Sequence, residues 1–322
     1  MIFAVAAALA ALSIGSSNIA VSDVFALLFD PDDSTASAVI HQLRLPRACA
    51  AFATGGLLAI AGALMQVLLR NPLADPYVLG LSGGSAVGAL GAMLIGLNAV
   101  LIRLGAFAGA LLSVVLVFAL ASRDLQRLQT SGAIDTSPRL LLTGVILASG
   151  WSAIITLMLV VAPDAQLRGM LFWVMGDLGS VDTFWPALIA LPITLAIVYP
   201  VSRELNVMLR GQAVAQALGV RVARLRKLIY IVASLATALA VTTAGTVGFV
   251  GLVVPHALRL MIGNDQRLLL PASAIAGGTL LVLADTLART VVAPQQLPVG
   301  VITALLGVPT FLFLLLRNGR RT

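Results

Sequence analysis

Residues 140–161 read LLLTGVILASGWSAIITLMLVV, a run of 22 residues without a charged side chain. About 20 apolar residues in a helix are enough to cross the hydrocarbon core of a bilayer. A transmembrane β-strand would instead alternate apolar and polar residues, whereas this run and residues 111–121 are apolar on every face. The sequence therefore predicts an all-α protein that crosses a membrane.

The composition of the whole chain supports the same fold class. Of 322 residues, 60% are hydrophobic and 10% are charged, and the mean hydropathy is +1.05. A soluble domain carries about 25% charged residues, so this chain has too few polar side chains to coat a water-soluble particle. The formal charge of +7 indicates membrane topology rather than nucleic-acid binding, because no basic run is interleaved with aromatic residues.

The residue types exclude several kinds of chemistry. Cys49 is the only cysteine, so an intrachain disulfide and a cysteine metal cluster are excluded. Lys227 is the only lysine and stands in Leu-Arg-Lys-Leu-Ile, whereas a P-loop needs Gly-Lys-Ser/Thr. We predict that the chain is not an enzyme, binds no ATP through a P-loop, and would take energy from a partner or an ion gradient.

Hydrophobic runs bounded by charges, Gly or Pro predict ten spans in a single transmembrane domain, residues 1–322. They cover residues 2–20, 48–69, 77–97, 104–122, 140–162, 183–201, 228–245, 246–262, 268–288 and 297–316. We expect the first to be a retained helix, with a cleaved signal peptide as the alternative, because no clear small-x-small site precedes the polar residues 22–37. Runs of small residues at 53–63, 83–91 and 105–110 predict close helix contacts.

The basic residues orient these spans. Ten spans place both termini on one side, and 15 of the 20 basic residues fall in loops on that side or at the C-terminus. The positive-inside rule makes this side cytoplasmic. The other five basic residues are assigned to the outer side: Arg44, Arg47, Arg103, Arg168 and Arg289.

An internal repeat is visible around two broken stretches. Arg44-x-x-Arg47 precedes a span and then residues 71–80, which contain two prolines, and Arg221-x-x-Arg224 precedes a span and then residues 245–256. The copies are separated by an odd number of spans and therefore insert in opposite orientations. Inverted repeats with broken helices in matching positions are typical of transporters.

A polar segment lies in the most basic predicted loop. Residues 203–220 are too polar to span a membrane and are long enough for two short helices broken at Gly211 and Gly219. The segment is either a solvated loop or a docking element for a cytoplasmic partner, and we name it the coupling segment.

Several motifs then connect the chain to a known family. They are Leu43-Arg-Leu-Pro-Arg47, Arg70-Asn-Pro-Leu-Ala-Asp-Pro76, Leu79-Gly80-x-Ser82, Leu205-Asn206…Gly211…Ala215…Leu218-Gly219, Gly248…Pro255-His256…Arg259, Ala284-Asp285…Arg289 and Pro298-x-Gly300…Gly307-x-Pro309. In this order they resemble the FecCD-type permeases of bacterial type II ABC importers, which carry vitamin B12, heme and ferric siderophores.

The resemblance implies a ten-helix, multi-pass subunit of the bacterial inner membrane that works as a homodimer around a central pathway. It also implies two cytoplasmic ATPase subunits that hold ATP and Mg²⁺, and a periplasmic substrate-binding protein. No cofactor or metal is expected in this subunit. Heme is narrowly favoured as the transported substrate, with vitamin B12 and a ferric siderophore as alternatives.

The resemblance also assigns roles to residues. Binding-protein docking falls to Arg44, Arg47 and Arg289; the cytoplasmic gate and pathway to Asn71, Leu73, Thr136 and Ser137; ATPase coupling to Leu205, Asn206, Gly211, Ala215, Leu218 and Gly219. The arginines could instead anchor helices at the membrane interface, and Asn71 could simply mark a helix–loop junction. Many family members carry an acidic residue near Gln296, where this chain departs from the pattern.

Two polar residues inside hydrophobic runs carry alternative functions. His256 is expected to make structural hydrogen bonds rather than to bind heme, since a lone histidine is not a metal site. Asp285 is a candidate proton relay for an ion-coupled transporter, but a local pair with Arg289 one helical turn later is favoured.

Overall fold

The structure, a computed structural model, describes residues 2–15, 19–127, 138–179, 181 and 183–318, and these contain helices but no β-strand. Fifteen α-helices follow in chain order: α1 (Ile2–Ser13), α2 (Val21–Phe29), α3 (Thr35–Ala38), α4 (Leu45–Leu68), α5 (Leu81–Leu94), α6 (Ala99–Arg127), α7 (Pro138–Val161), α8 (Asp164–Met175), α9 (Trp185–Val198), α10 (Ser202–Leu209), α11 (Gln212–Ala217), α12 (Val222–Ala244), α13 (Val250–Ile262), α14 (Gln266–Thr290) and α15 (Val299–Asn318). A π-helix, Val39–Arg44, joins α3 to α4, and a 3₁₀-helix, Pro76–Leu79, precedes α5.

The helices confirm the all-α membrane fold. Five helical segments of the described chain are long and apolar enough to cross a bilayer: Thr35–Leu68, α6, α7, α12 and α14. Helices α9 and α10 together form a sixth that is bent by 64°, and α1, α5, α13 and α15 are shorter apolar helices. Each of the ten predicted spans therefore contains a helix.

The sequence missed the helices that lie between these spans. The polar stretch of residues 22–37 was assigned no helix, but it contains most of α2 and most of α3. Ser34 caps α3, since its hydroxyl accepts from the Ser37 amide at 3.1 Å, and Val24 of α2 is buried against Leu12 and Ile40. Local capping and tertiary packing stabilise helices that are too short to give a periodic signal.

Helix α4 forms the centre of the bundle, with 19 of its 24 residues buried. Small residues let its neighbours approach closely: a Cβ added to Gly55 would overlap the backbone of Gly277 in α14, and one added to Gly62 would overlap Gly251 in α13. The pair α5 and α6 makes similar contacts through Gly84 and Gly109. These contacts confirm the close helix packing predicted from the small-residue runs.

The two broken stretches meet inside the bundle. A left-handed residue precedes each short helix, Gly80 (φ 71°) before α5 and Phe249 (φ 68°) before α13. The Tyr77 hydroxyl donates to the Val247 carbonyl at 3.1 Å and accepts from the Val247 amide at 3.2 Å. One break therefore satisfies backbone groups that the other exposes, as non-helical backbone within a membrane protein requires.

Candidate functional site

The predicted site residues fall at two ends of the bundle. At one end, which we name the basic end, the stretch after α4 meets the coupling segment and the junction of α13 with α14. At the other, the opposite end, the start of α4 meets the end of α14. Each end brings together residues that are far apart in the chain.

At the opposite end, Arg47 binds Asp285 through the Nε–Nη2 edge of its guanidinium group. Its Nε donates to the two carboxylate oxygens at 3.0 and 2.9 Å, and its Nη2 donates to Oδ1 at 2.8 Å. Its Nη1 donates to Oε1 of Gln296 at 2.8 Å. Gln296, the departure from the family pattern, thus supplies a neutral acceptor to the same arginine.

The other two predicted docking arginines join this group. Arg289 Nε lies 3.3 Å from an Asp285 oxygen, which confirms the predicted local pair, and its Nη2 donates to the Ala11 carbonyl at 3.1 Å. Arg44 Nη1 donates to the carbonyl groups of Leu12 and Ser13 at 2.6 and 3.0 Å. We name Arg44, Arg47, Asp285 and Arg289 the arginine cluster; it ties α1, α4 and α14 together.

Burial of the arginine cluster differs from the sequence expectation. The sequence assigned these arginines to the outer side as docking residues, which would need accessible side chains, but Arg44 is 4% exposed, Arg47 9% and Asp285 2%. Arg47 is buried against the carboxylate of Asp285, 238 residues later in the chain, and Arg44 against carbonyl groups at the end of α1. Local spacing reveals neither contact. Their docking role stays a prediction, and in this state Arg47 is fully engaged within the chain.

At the basic end, Asn71 shapes the turn after α4. Its side-chain Oδ1 accepts from the backbone N–H of Leu73 at 2.9 Å. Its own backbone N–H donates to the backbone carbonyl of Gln66 at 3.2 Å. Asn71 is exposed and Leu73 is 40% exposed. Their role in a gate stays a prediction, and the paired prediction for Thr136 and Ser137 concerns residues outside the described part of the chain.

The coupling segment forms the two predicted short helices, α10 and α11. Gly211 lies between the two helices with a φ of 125°, and Gly219 follows the second with a φ of 79°. A Cβ at either position would contact no neighbouring atom, but the positive φ would be strained for any other residue. Leu205 and Ala215 are fully buried, whereas Leu218 is 67% exposed. The first two hold the segment on the bundle, and Leu218 is exposed. The role of these residues in ATPase coupling stays a prediction.

Asn206 fixes the coupling segment to the start of α14. Its Nδ2 donates to Oδ1 of Asp265 at 2.7 Å, and its Oδ1 accepts from the backbone N–H of Gln266 at 2.8 Å. The same Asp265 oxygen accepts from the Arg267 amide at 3.0 Å and caps the helix. The hydrogen bonds from Asn206 and from Arg267 hold the pKa of Asp265 below its ordinary value.

A polar cleft of about 770 Å³ separates these elements at the basic end. Its walls include Gln66 from α4, Arg70 from the first break, where α4 ends and the stretch 71–80 begins, Asn206 and Arg210 from the coupling segment, and Arg259 from α13. Sequence reasoning missed this cleft, although Arg70 and Arg259 both belong to quoted motifs. The sequence contains the two arginines in separate motifs, and the spacing of those motifs does not show that their side chains line one cleft.

His256 does not make the hydrogen bonds expected of it. Neither ring nitrogen has a hydrogen-bond partner in the described ranges, and the ring lies edge-on to Phe311 with the centroids 6.2 Å apart. Packing against an aromatic ring, rather than a structural hydrogen bond, is what the structure gives this residue. Within the same ranges, no three His, Cys, Asp or Glu residues come together in a group able to hold a metal ion.

Comparisons with known proteins agree with this architecture. The sequence pattern of the FecCD transport family matches residues 3–317. The cobalamin import system permease protein BtuC of Halobacterium salinarum is 42% identical over 285 residues, 87% of this chain and 74% of that protein. The vitamin B12 import system permease protein BtuC of Escherichia coli is 39% identical over 286 residues, 87% of this chain and 84% of that protein.

A solved structure is similar over nearly the whole chain. It is an inward-facing conformation of a metal-chelate type ABC transporter, with a TM-score of 0.84 at 28% identity. The similarity covers 98% of this chain and 97% of the other. The sequence similarity and the fold therefore point to the same kind of protein.

Proposed function

The chain belongs to the FecCD transport family, and from that premise we propose that two copies of it line the pathway of an ATP-driven importer. As a permease of this type, the chain is not an enzyme. The family match over residues 3–317 carries this proposal, and the two broken helices that meet at Tyr77 and Val247 support it.

For the substrate, we propose an iron-containing chelate, with heme as the first candidate. Cobalamin is the second candidate, because two relatives at 42% and 39% identity are named as cobalamin or vitamin B12 permeases. All of these substrates are bulky, so a wide pathway without metal ligands suits each of them. Binding of heme, cobalamin and a ferric siderophore to the purified partner binding protein separates the candidates, and tight binding of cobalamin alone would reject heme.

We propose that the basic end faces the cytoplasm, with both termini there, and that the coupling segment docks one ATPase subunit per copy. The positive-inside rule supports the orientation, and the exposure of Leu218 supports the docking surface. ATP and Mg²⁺ would bind to the ATPase and not to this chain. Docking would therefore convert ATPase movement into movement of α10 and, through Asn206, of α14.

The docking proposal is tested by Leu218→Glu. We expect loss of ATPase co-purification while the permease still inserts in the membrane, because a carboxylate would replace an exposed apolar contact. Leu43→Glu, at a leucine that is 64% exposed at the opposite end, is the matched control. If both variants retain the ATPase, or both lose it, the coupling segment is not the docking surface.

We further propose that Asn71 and Leu73 approach their counterparts across the two-fold axis of the dimer. Leu73 is partly exposed in the single chain, which leaves it free for such a contact. In a Cys49→Ser background, Leu73→Cys should crosslink between copies and stop transport until the crosslink is reduced. Absence of crosslinking in every nucleotide state would reject this gate.

The opposite end is proposed to receive the binding protein through Arg44, Arg47 and Arg289. An acidic residue of the binding protein would have to compete with Asp285 for these guanidinium groups. Arg289→Gln should slow association and reduce its salt dependence, relative to Arg168→Gln at an exposed arginine outside the arginine cluster. Equal association rates for the two variants would assign the arginine cluster to stability alone.

An ion-coupled transporter is the rival function, with Asp285 as its proton carrier. Asp285 accepts from Arg47 and lies 3.3 Å from Arg289, so its negative charge has two partners and a proton would have to displace both. Uptake that continues with a hydrolysis-deficient ATPase would favour the rival, and uptake that stops would favour the importer.

A further inference from the structure

The cleft at the basic end holds more positive charge than its described lining neutralises. Three arginines reach it from three different segments: Arg70 from the first break, Arg210 from the coupling segment and Arg259 from α13. Asp265 is the acidic residue of its described lining. Arg226 of α12 lies close enough to Arg70 for the two charges to repel.

Asp265 is already engaged with other groups. One of its carboxylate oxygens accepts from Asn206 at 2.7 Å and from the Arg267 amide at 3.0 Å. The same oxygen lies 3.8 Å from the Arg267 guanidinium group. Asp265 therefore serves as the cap of α14 and does not balance the three arginines of the cleft.

Arg259 shows the deficit most clearly. Its Nε and Nη2 are buried and have no hydrogen-bond acceptor in the part of the chain that the structure describes. Gln66, which is 2% exposed, donates from Nε2 to the Leu252 carbonyl at 3.3 Å, and its buried Oε1 has no partner there. This oxygen is an acceptor, so it needs a hydrogen-bond donor such as a hydroxyl group and adds nothing to the positive charge. Buried polar groups and buried charges are costly unless they are paired, so the cleft is built to hold a polar ligand.

We propose that this cleft binds a phosphate group, carried by a phospholipid headgroup or by free phosphate. Guanidinium groups bind phosphate oxygens through paired N–H donors. Each unbridged phosphate oxygen can accept more than one N–H group, so one phosphate group can accept from two or more arginines, as the carboxylate of Asp285 does at the opposite end. A volume of about 770 Å³ has room for a headgroup as well as for the ion.

A bound phosphate would connect three segments of the chain through their arginines. Arg70 follows α4, Arg210 lies between α10 and α11, and Arg259 lies in the last turn of α13. Bridging them would fix the coupling segment against the first break. The ligand would thus stabilise one relative position of the coupling segment and the bundle.

The test uses the purified full chain alone in an uncharged detergent. Inorganic phosphate and short-chain phosphatidylglycerol are titrated at constant ionic strength, set with sodium chloride, and thermal unfolding is followed. We expect a saturable rise in Tm with at least one probe. Phosphate alone indicates a soluble ligand, phosphatidylglycerol alone indicates a headgroup, and both indicate recognition of the phosphate itself.

Arg259→Gln should weaken the apparent affinity at least tenfold. Arg203→Gln removes the same charge from an exposed position of the coupling segment outside the cleft and should leave the affinity unchanged. If Arg259→Gln does not fold, Arg210→Gln at the exposed rim decides the question. The proposal is overturned if neither probe gives a saturable shift, or if the cleft variants respond like Arg203→Gln. Because no partner protein is present, failure here leaves the importer proposal untouched.

Discussion

Asp285→Asn tests whether the arginine cluster holds the bundle together. Asp285 is 2% exposed, accepts three hydrogen bonds of 2.8–3.0 Å from Arg47 and lies 3.3 Å from Arg289. The amide would leave two buried guanidinium groups without a counter-charge. Breaking a buried ion pair by removing one partner costs about 3–5 kcal/mol, so we expect a loss of about 3 kcal/mol or more in the free energy of unfolding.

The assay is unfolding of the purified chain in mixed micelles, with the exposed Asp33→Asn as the matched control. Surface changes of that kind are worth within about 0.5 kcal/mol. Arg47→Gln and the double variant Arg47→Gln/Asp285→Asn complete a double-mutant cycle. In such cycles, residues in contact show interaction free energies of about 0.5–3 kcal/mol. The double variant should lose less stability than the two single variants combined. A loss below about 1 kcal/mol for Asp285→Asn, or strict additivity, would refute this reasoning.

Two further predictions concern packing and acid stability. Gly62→Ala should destabilise the chain by about 1–3 kcal/mol through overpacking, because its Cβ would overlap the Gly251 backbone, whereas Gly150→Ala has open space and should be neutral; similar unfolding of the two variants would contradict this. The pKa of Asp265 is lower in the folded chain than the value of 3.8 expected in the unfolded chain. Its carboxylate therefore stabilises the fold at pH values above 3.8, and this stabilisation is lost as the pH falls through the folded-state pKa. Asn206→Ala should raise this pKa and shift the acid-unfolding midpoint upward in a pH titration of unfolding, and an unchanged midpoint would contradict the assignment.

The parts of the fold that the sequence predicted are those with strong local signals. Ten apolar runs each gave a helix, and glycines in the runs at 53–63, 83–91 and 105–110 gave close helix contacts. Gly211 and Gly219 correctly marked the ends of two short helices, since both adopt positive φ. These features depend on residues within one or two helical turns.

The features that sequence reasoning missed depend on distant residues. The motif that contains Arg44 and Arg47 gave no sign of their partners: Arg47 pairs with Asp285, and Arg44 donates to carbonyl groups at the end of α1. The cleft likewise required Arg70 and Arg259 to converge across 189 positions of sequence. Helix α2 was missed because its nine residues are stabilised by packing rather than by a long apolar run.

The pairing of Arg47 with Asp285 also imposes an order on biogenesis. During translation Arg47 leaves the ribosome 238 residues before its counter-charge, and at about 5–20 residues per second this separation lasts roughly 12–48 s. Throughout that interval α4 has to reside in the bilayer with an arginine whose intended partner has not been made. The nascent chain therefore needs a provisional environment for this residue, such as the lipid interface or the insertion machinery, until α14 arrives and the centre of the bundle can close.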